Sequence, residues 1–233
     1  MVTNCRFDLM GLSHSPRIVT DGLVLCLDAA NKRSYPGAGT TWTDLSKQGN
    51  NGTLTNGPTF DSANGGSILF DGSNDYVEVQ GNYHLFSALT ISCWFKPTNS
   101  ISGGVNDTGR LWGKGTDLEI RSNDGTGRFI GDFGNVNSLF STQNSWLNTV
   151  WYNLVVVLDT TTSTSSMYIQ SKLDSTGSVS SMSDQTANML IGKSASGLGS
   201  CMSAKISNFS IYNRVLTPDE IRQNYLATKG RYA

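Results

Sequence analysis

The chain comes closest to a pair of catalytic acids at Asp117-Leu118-Glu119-Ile120-Arg121. Alternate residues of a strand share a face, so Asp117, Glu119 and Arg121 stand together while Leu118 and Ile120 face a core. Retaining glycoside hydrolysis needs two carboxyls ~5–5.5 Å apart with separated pKa values. Arg121 beside both acids holds them ionised and leaves no general acid, so the segment reads as a solvated charged face. Gly192-Lys193-Ser194 ends like a phosphate loop, but Ala187 stands where that motif needs its first glycine. His14 and His84 have no Gly-x-Ser-x-Gly to serve, and neither is spaced from a cysteine as a zinc ligand would be. Cys5, Cys26, Cys93 and Cys201 form no Cys-x-x-Cys and read as buried free thiols. No catalytic residue is assigned, and an enzyme is not expected.

Two constellations suit binding instead. Asp71-Gly72-Ser73-Asn74-Asp75 is an oxygen-rich turn. Its plain role is an Asx-type turn holding a hairpin. Its alternative is a hard-cation site with Asp75 as the first ligand and Asp71 and Asn74 beside it, since calcium takes 6–8 oxygens. Leu89 to Lys96 alternates, with Leu89, Ile91, Cys93 and Phe95 on one face and Thr90, Ser92, Trp94 and Lys96 on the other. Trp94 thus lies opposite the core parity and is a candidate sugar-stacking platform, although most tryptophans of β-sandwiches are core or sheet cover.

The elements that must position these residues are short and numerous. Leu23–Leu27, Ile68–Phe70, Tyr76–Val79, Leu89–Lys96, Arg110–Gly113, Leu118–Arg121, Trp151–Leu158, Met167–Ile169, Asn188–Gly192 and Lys205–Tyr212 read as strands between turn signals. Trp151–Leu158 is apolar on both faces, which marks a central strand. One helix is signalled: Thr217 as N-cap, Pro218 at the first position, Glu220 completing a capping box, and Gly230 as the stop. Residues 1–21 have no period and read as an N-terminal arm, with 22–233 as one domain. The arm's Val2, Phe7, Leu9, Met10, Leu12, Ile18 and Val19 need burial against something to offset ordering. It is expected to lie across neighbouring subunits of an assembly.

Composition narrows the partners. Charged residues are 15% and the net charge is −1, so there is no basic field for nucleic acid. No stretch reaches the ~18–20 apolar residues of a membrane span, and the N-terminus has no signal-peptide run, so a cytosolic site of synthesis is expected.

Four segments in order carry a resemblance. They are Phe70–Val77, Leu89–Pro97, Trp151–Asp159 and Ile206–Ile221. Residues 22–226 resemble the LamG-like jelly-roll family, relatives of laminin G domains, pentraxins and legume lectins. The resemblance implies an all-β, concanavalin A-like sandwich of two antiparallel sheets, with one short C-terminal helix. It implies calcium at loop rims, which would make Asp75, Asp71 and Asn74 its ligands here. Some glucanases of this fold carry three acids on one strand; here Arg121 follows Glu119 instead. A narrower resemblance lies in Asp21–Gly37, Trp42–Ser46 and Asn50–Leu54, which are similar to virion structural proteins of tailed bacteriophages. It implies a protein assembled into virions in the host cytoplasm, most simply a capsid decoration or cement protein bound to a major capsid or tail protein, with homo-oligomerisation open. The alternative is a carbohydrate-binding adhesin of a tail or fibre, meeting a cell-surface glycan. No cofactor is required beyond the candidate calcium.

Overall fold

A computed structural model describes residues 16–81, 86–103, 109–115, 118–122, 125–134, 137–180, 182, 187–194 and 201–232. The strands are β1 (Leu23–Asp28), β2 (Thr41–Trp42), β3 (Gly52–Thr55), β4 (Thr59–Asp61), β5 (Ser67–Asp71), β6 (Tyr76–Val79), β7 (Ala88–Pro97), β8 (Ile101–Ser102) and β9 (Arg110–Lys114). They continue with β10 (Leu118–Ser122), β11 (Phe129–Phe133), β12 (Asn137–Phe140), β13 (Ser145–Trp146), β14 (Tyr152–Asp159), β15 (Thr164–Ile169), β16 (Lys172–Ser178), β17 (Met189–Ile191) and β18 (Ser203–Tyr212). Helix α1 spans Pro218–Thr228 and runs into a 3-10 turn at Lys229–Arg231.

The strands build two large antiparallel sheets packed face to face, and β8 pairs with β13 in a separate two-stranded ribbon. The first runs β16-β15-β14-β7-β18-β5-β4, with β1 also paired to β18, and the second runs β12-β11-β10-β9-β17-β6-β3-β2. Every named pairing is antiparallel, so the expected all-β sandwich with one C-terminal helix is what the chain forms. The strands exceed the ten read from the sequence. Two- and three-residue strands such as β2, β4 and β13 are too short to show a period, and Gly131 and Asp132 interrupt the apolar pattern of β11.

Between the sheets lies one core, containing Leu89, Ile91, Cys93 and Phe95 of β7 and Leu154, Val156 and Leu158 of β14. Trp42, Trp112 and Trp146 are fully buried in it. β14 is apolar on both faces because both are covered. Its other face, Val155 and Val157, packs with Ile221 of α1, Leu216, Tyr212 and Val19. At ~25 cal/mol per Å2 of apolar surface, burying one such side chain is worth roughly 1.5–3 kcal/mol, so the helix is held mainly by this second interface.

Thr90 guides the chain into that helix. Its hydroxyl donates to the Arg214 carbonyl and accepts from the Leu216 N–H. The capping box is complete: Glu220 N–H donates to Thr217 Oγ1 at 3.3 Å, and Thr217 N–H donates to Glu220 Oε2 at 2.9 Å. Arg214 grips both oxygens of Glu220, which pulls the Glu220 pKa down to about 2. Gly230, the expected stop, lies within the 3-10 turn that follows α1.

Residues 16–21, expected in the arm, are instead tied to the domain. Val19 N–H donates to Asn224 Oδ1, Tyr212 OH donates to the Val19 carbonyl, and Gln223 donates to the Arg17 carbonyl. Val19 is buried because α1 and the sheet together supply the apolar surface that an isolated segment lacks. Residues 1–15 lie outside the described residues.

Thr217→Ala removes one half of the capping box and is expected to cost about 1 kcal/mol in thermal or denaturant unfolding. Glu220→Gln should flatten the acid limb of the stability curve. The carboxyl has a folded pKa below its ordinary 4.5, so its contribution is present above pH 4.5 and is lost as pH falls towards about 2. Melting curves of both proteins across that window should converge at its acid end.

Candidate functional site

The three candidate calcium ligands sit in the β5–β6 turn, and the turn uses their oxygens itself. Asp71 Oδ1 accepts from Ser73 N–H at 2.7 Å and Asn74 N–H at 3.4 Å. These backbone bonds, that from Ser73 first, hold its carboxyl below the ordinary value. Asp75 Oδ2 accepts from Asp71 N–H at 3.1 Å, and the Asn74 carbonyl accepts from Asn56 Nδ2. Asp75 is only 4% exposed, and burial pushes its pKa up, with the Asp71 charge adding to the effect. Asp71, Asn74 and Asp75 are therefore adjacent in space, arranged as an Asx turn. Among the described residues, no group of three or more His, Cys, Asp or Glu side chains could hold a metal ion. Asp71 Oδ1 and Asp75 Oδ2 are thus already engaged by backbone donors of the turn itself.

Glu119 is not on a solvated face. It is 6% exposed and lies between two guanidinium groups, with Arg110 Nε 3.5 Å from Oε2 and Arg121 Nε 3.6 Å from Oε1. Arg121 also meets Asp132 Oδ2 at 2.9 Å, across the β10–β11 pairing that sets Glu119 opposite Asp132. Ser194 Oγ donates to Glu119 Oε2 at 3.5 Å. Burial first, and the Asp132 charge with it, pushes the Glu119 pKa up against the lowering pull of Arg110 and Arg121, so the expectation of a solvated charged face is corrected to a buried ion-pair cluster. Sequence spacing showed the in-strand neighbours of Glu119, whereas burial and Arg110 come from other elements. Asp117 lies outside the described residues.

Gly192 has a reason to be glycine other than phosphate. Its φ is +86°, and a Cβ there would lie 2.6 Å from the Phe70 ring. Cys26, Cys93 and Cys201 are free and buried. Burial pushes the Cys26 thiol up to about 12 and raises the other two, so none is a thiolate at neutral pH. His14, His84 and Cys5 lie outside the described residues.

Trp94 does face away from the core, but it offers no open stacking surface. The residue is 3% exposed, stacked on Tyr232 at 4.1 Å and on Tyr225 at 5.6 Å, and its Nε1–H donates to Thr228 Oγ1. The C-terminal segment covers the outward face of the ring. Parity identified the face correctly; the cover comes from residues more than 130 positions away, which no local pattern shows.

Asp21–Gly37, Trp42–Ser46 and Asn50–Leu54 meet in one folded unit. Asp44 accepts from Cys26 N–H, Ser46 N–H, Ser46 Oγ and Asn50 N–H. Asn50 Nδ2 donates to the Val24 carbonyl, Leu45 N–H to the Cys26 carbonyl, and Asp44 N–H to Asn51 Oδ1. Trp42–Ser46 and Asn50–Gly52 therefore cover the edge of β1 that faces away from β18. Gly52 is fitted to the same packing, since a Cβ there would lie 2.7 Å from Val77 Cγ1.

Comparison with known proteins agrees with this architecture. Residues 71–222 match the family model described as Concanavalin A-like lectin/glucanases superfamily. No curated protein matches the chain. Trypanosoma rangeli sialidase is similar in structure, with TM-score 0.66 and 17% identity, over 94% of this chain and 36% of the sialidase. The binding domain of Paraclostridial Mosquitocidal Protein 1 gives TM-score 0.68 and 17% identity, covering 88% of this chain and 52% of that one. The botulinum neurotoxin type G receptor binding domain gives TM-score 0.62 and 13% identity, covering 88% and 51%. This chain thus spans about a third of the sialidase and half of the toxin fragments, and identities this low show a shared fold alone.

Asp75→Asn should raise the melting temperature at neutral pH. The folded-state pKa of Asp75 is raised, so its ionisation costs stability above that pKa, and the cost vanishes as pH falls below the ordinary 3.8. The gain should therefore disappear in acid. A turn that held calcium would behave the opposite way, with the substitution lowering the melting temperature whenever calcium is present.

Proposed function

Because the chain belongs to the Concanavalin A-like lectin/glucanases superfamily, we propose that it acts by binding a surface, as a structural protein of a tailed-phage virion that decorates the capsid through protein–protein contacts. The observation that carries this reading is the plug over β1. The segments similar to virion proteins are not scattered; they meet in space around Asp44 as one folded element. A covered edge also suits a protein crowded in many copies on a shell, since open strand edges pair with neighbours. Two structural neighbours are binding domains of toxins, and the proposed use of the fold is of that kind. Partners on this reading are the major capsid or tail protein. An adhesin acting through Trp94 is disfavoured by the burial of that ring, so a glycan-binding role needs a different platform.

Immunogold labelling of purified particles from a phage encoding the chain tests this directly. Label distributed over the capsid is expected. Label confined to the tail or fibres would overturn decoration in favour of an adhesin, and unlabelled particles would overturn both.

A further inference from the structure

The outer face of the first sheet carries a row of aromatic rings separate from the core. Tyr225, Trp94, Tyr232 and Trp151 follow one another with centroid spacings of 5.6, 4.1 and 5.0 Å. An ammonium stands at each end: Lys229 Nζ is 5.7 Å from the Tyr225 ring centre, and Lys96 Nζ is 5.7 Å from that of Trp151. Both indole N–H groups are satisfied, Trp94 by Thr228 and Trp151 by Asn64 Oδ1 at 3.1 Å. Gln170 fixes the Trp151 backbone by donating to its carbonyl while accepting from Asn153 N–H. Gln170 and Ser171, with φ of 51° and 64°, form the two-residue turn of the β15–β16 hairpin, and Asn64 at 54° adopts a left-handed conformation that asparagine tolerates.

Beside this row lies a cleft of about 260 Å3, lined by Trp94, Trp151, Tyr225, Tyr232, Gln170 and Lys229. Among the described residues no carboxylate lines it. The acids close by are already engaged: Asp61, whose charge reaches Lys96, pairs with Lys205, and Asp28 pairs with Arg231. Among the described residues no ion pair engages Lys229, so the cleft is aromatic with one ammonium at its lip. Its volume is just under the roughly 300–1,000 Å3 of drug-sized pockets, which suits one ring and not an oligomer. The apolar C–H face of a pyranose packs on the half-exposed tyrosine rings, and a carboxylate answers the Lys229 ammonium.

We propose that this cleft binds an acidic monosaccharide unit, a pyranose bearing a carboxylate, with Tyr225 and Tyr232 as walls and Lys229 as the anion contact. The site does not depend on where the domain sits on a particle, so it stands or falls apart from the decoration reading. Titration of the full chain, followed by calorimetry or by chemical shifts, would use glucuronic acid, glucose and benzoate as probes. Glucuronate is expected to bind about fivefold more tightly than glucose, the scale of one or two solvent-exposed ion pairs, and more tightly than benzoate. Lys229→Gln should abolish the preference over glucose and leave the melting temperature unchanged, because that side chain is exposed. Lys193→Gln removes a lysine that stands over Tyr76, a residue not among those lining the cleft, and should change nothing. The proposal is overturned by equal affinity for glucuronate and glucose, by benzoate binding as tightly as glucuronate, by no binding at millimolar concentration, or by a preference that survives Lys229→Gln.

Discussion

The structure depends on covering a sheet twice. β14 and β7 lie at the centre of the first sheet, and β14 presents valines to both sides. The second sheet covers one side. The other must be covered by something else, because an exposed strip holding Val155, Val157 and Trp94 would cost several kcal/mol in unburied apolar surface. Helix α1, the turn after it and residues 16–21 meet that need. Their polar contacts follow from it: Tyr212 OH and Asn224 cross-link the three segments, and the Thr90 hydroxyl fixes the chain's approach to the helix.

The same cover decides what the outer face can do. By occupying Trp94, Tyr232 removes an open stacking platform and leaves a narrower cleft in its place, with Trp151 as its second buried ring. Arg231 bound to Asp28 at 2.7 and 2.9 Å and the Tyr232 hydroxyl bound to Ser207 hold that segment down. Recognition and cover are therefore one piece of structure: the residues that close the sheet also wall the cleft.

Edges pose the second constraint. β1 pairs with β18 on one side only, and its free edge would otherwise offer N–H and C=O groups to any passing strand. The loop around Asp44 satisfies the Cys26 N–H by a carboxylate, the Cys26 carbonyl by the Leu45 N–H and the Val24 carbonyl by an amide. A side-chain plug stands in for a strand.

Local order was set by the sequence alone. The alternation of Leu89–Lys96, the double-sided apolar run of Val155–Leu158 and the Thr217–Glu220 capping box each depend on neighbours within a few positions, and each appears where the pattern puts it. Nearest-neighbour sterics and hydrogen bonds create these patterns, so a linear text carries them. The polar or very short strands β16, β2 and β13 carried no such signal, because pairing partners and not their own side chains make them strands. Environment was decided only by the tertiary structure. Parity put Trp94 opposite the core but gave no hint of Tyr225 and Tyr232 above it; strand spacing put Glu119 beside Arg121 but showed neither its burial nor Arg110. Burial and charge at a site are sums over everything within a few ångströms, and in an antiparallel sandwich those neighbours come from strands and helices a hundred residues away.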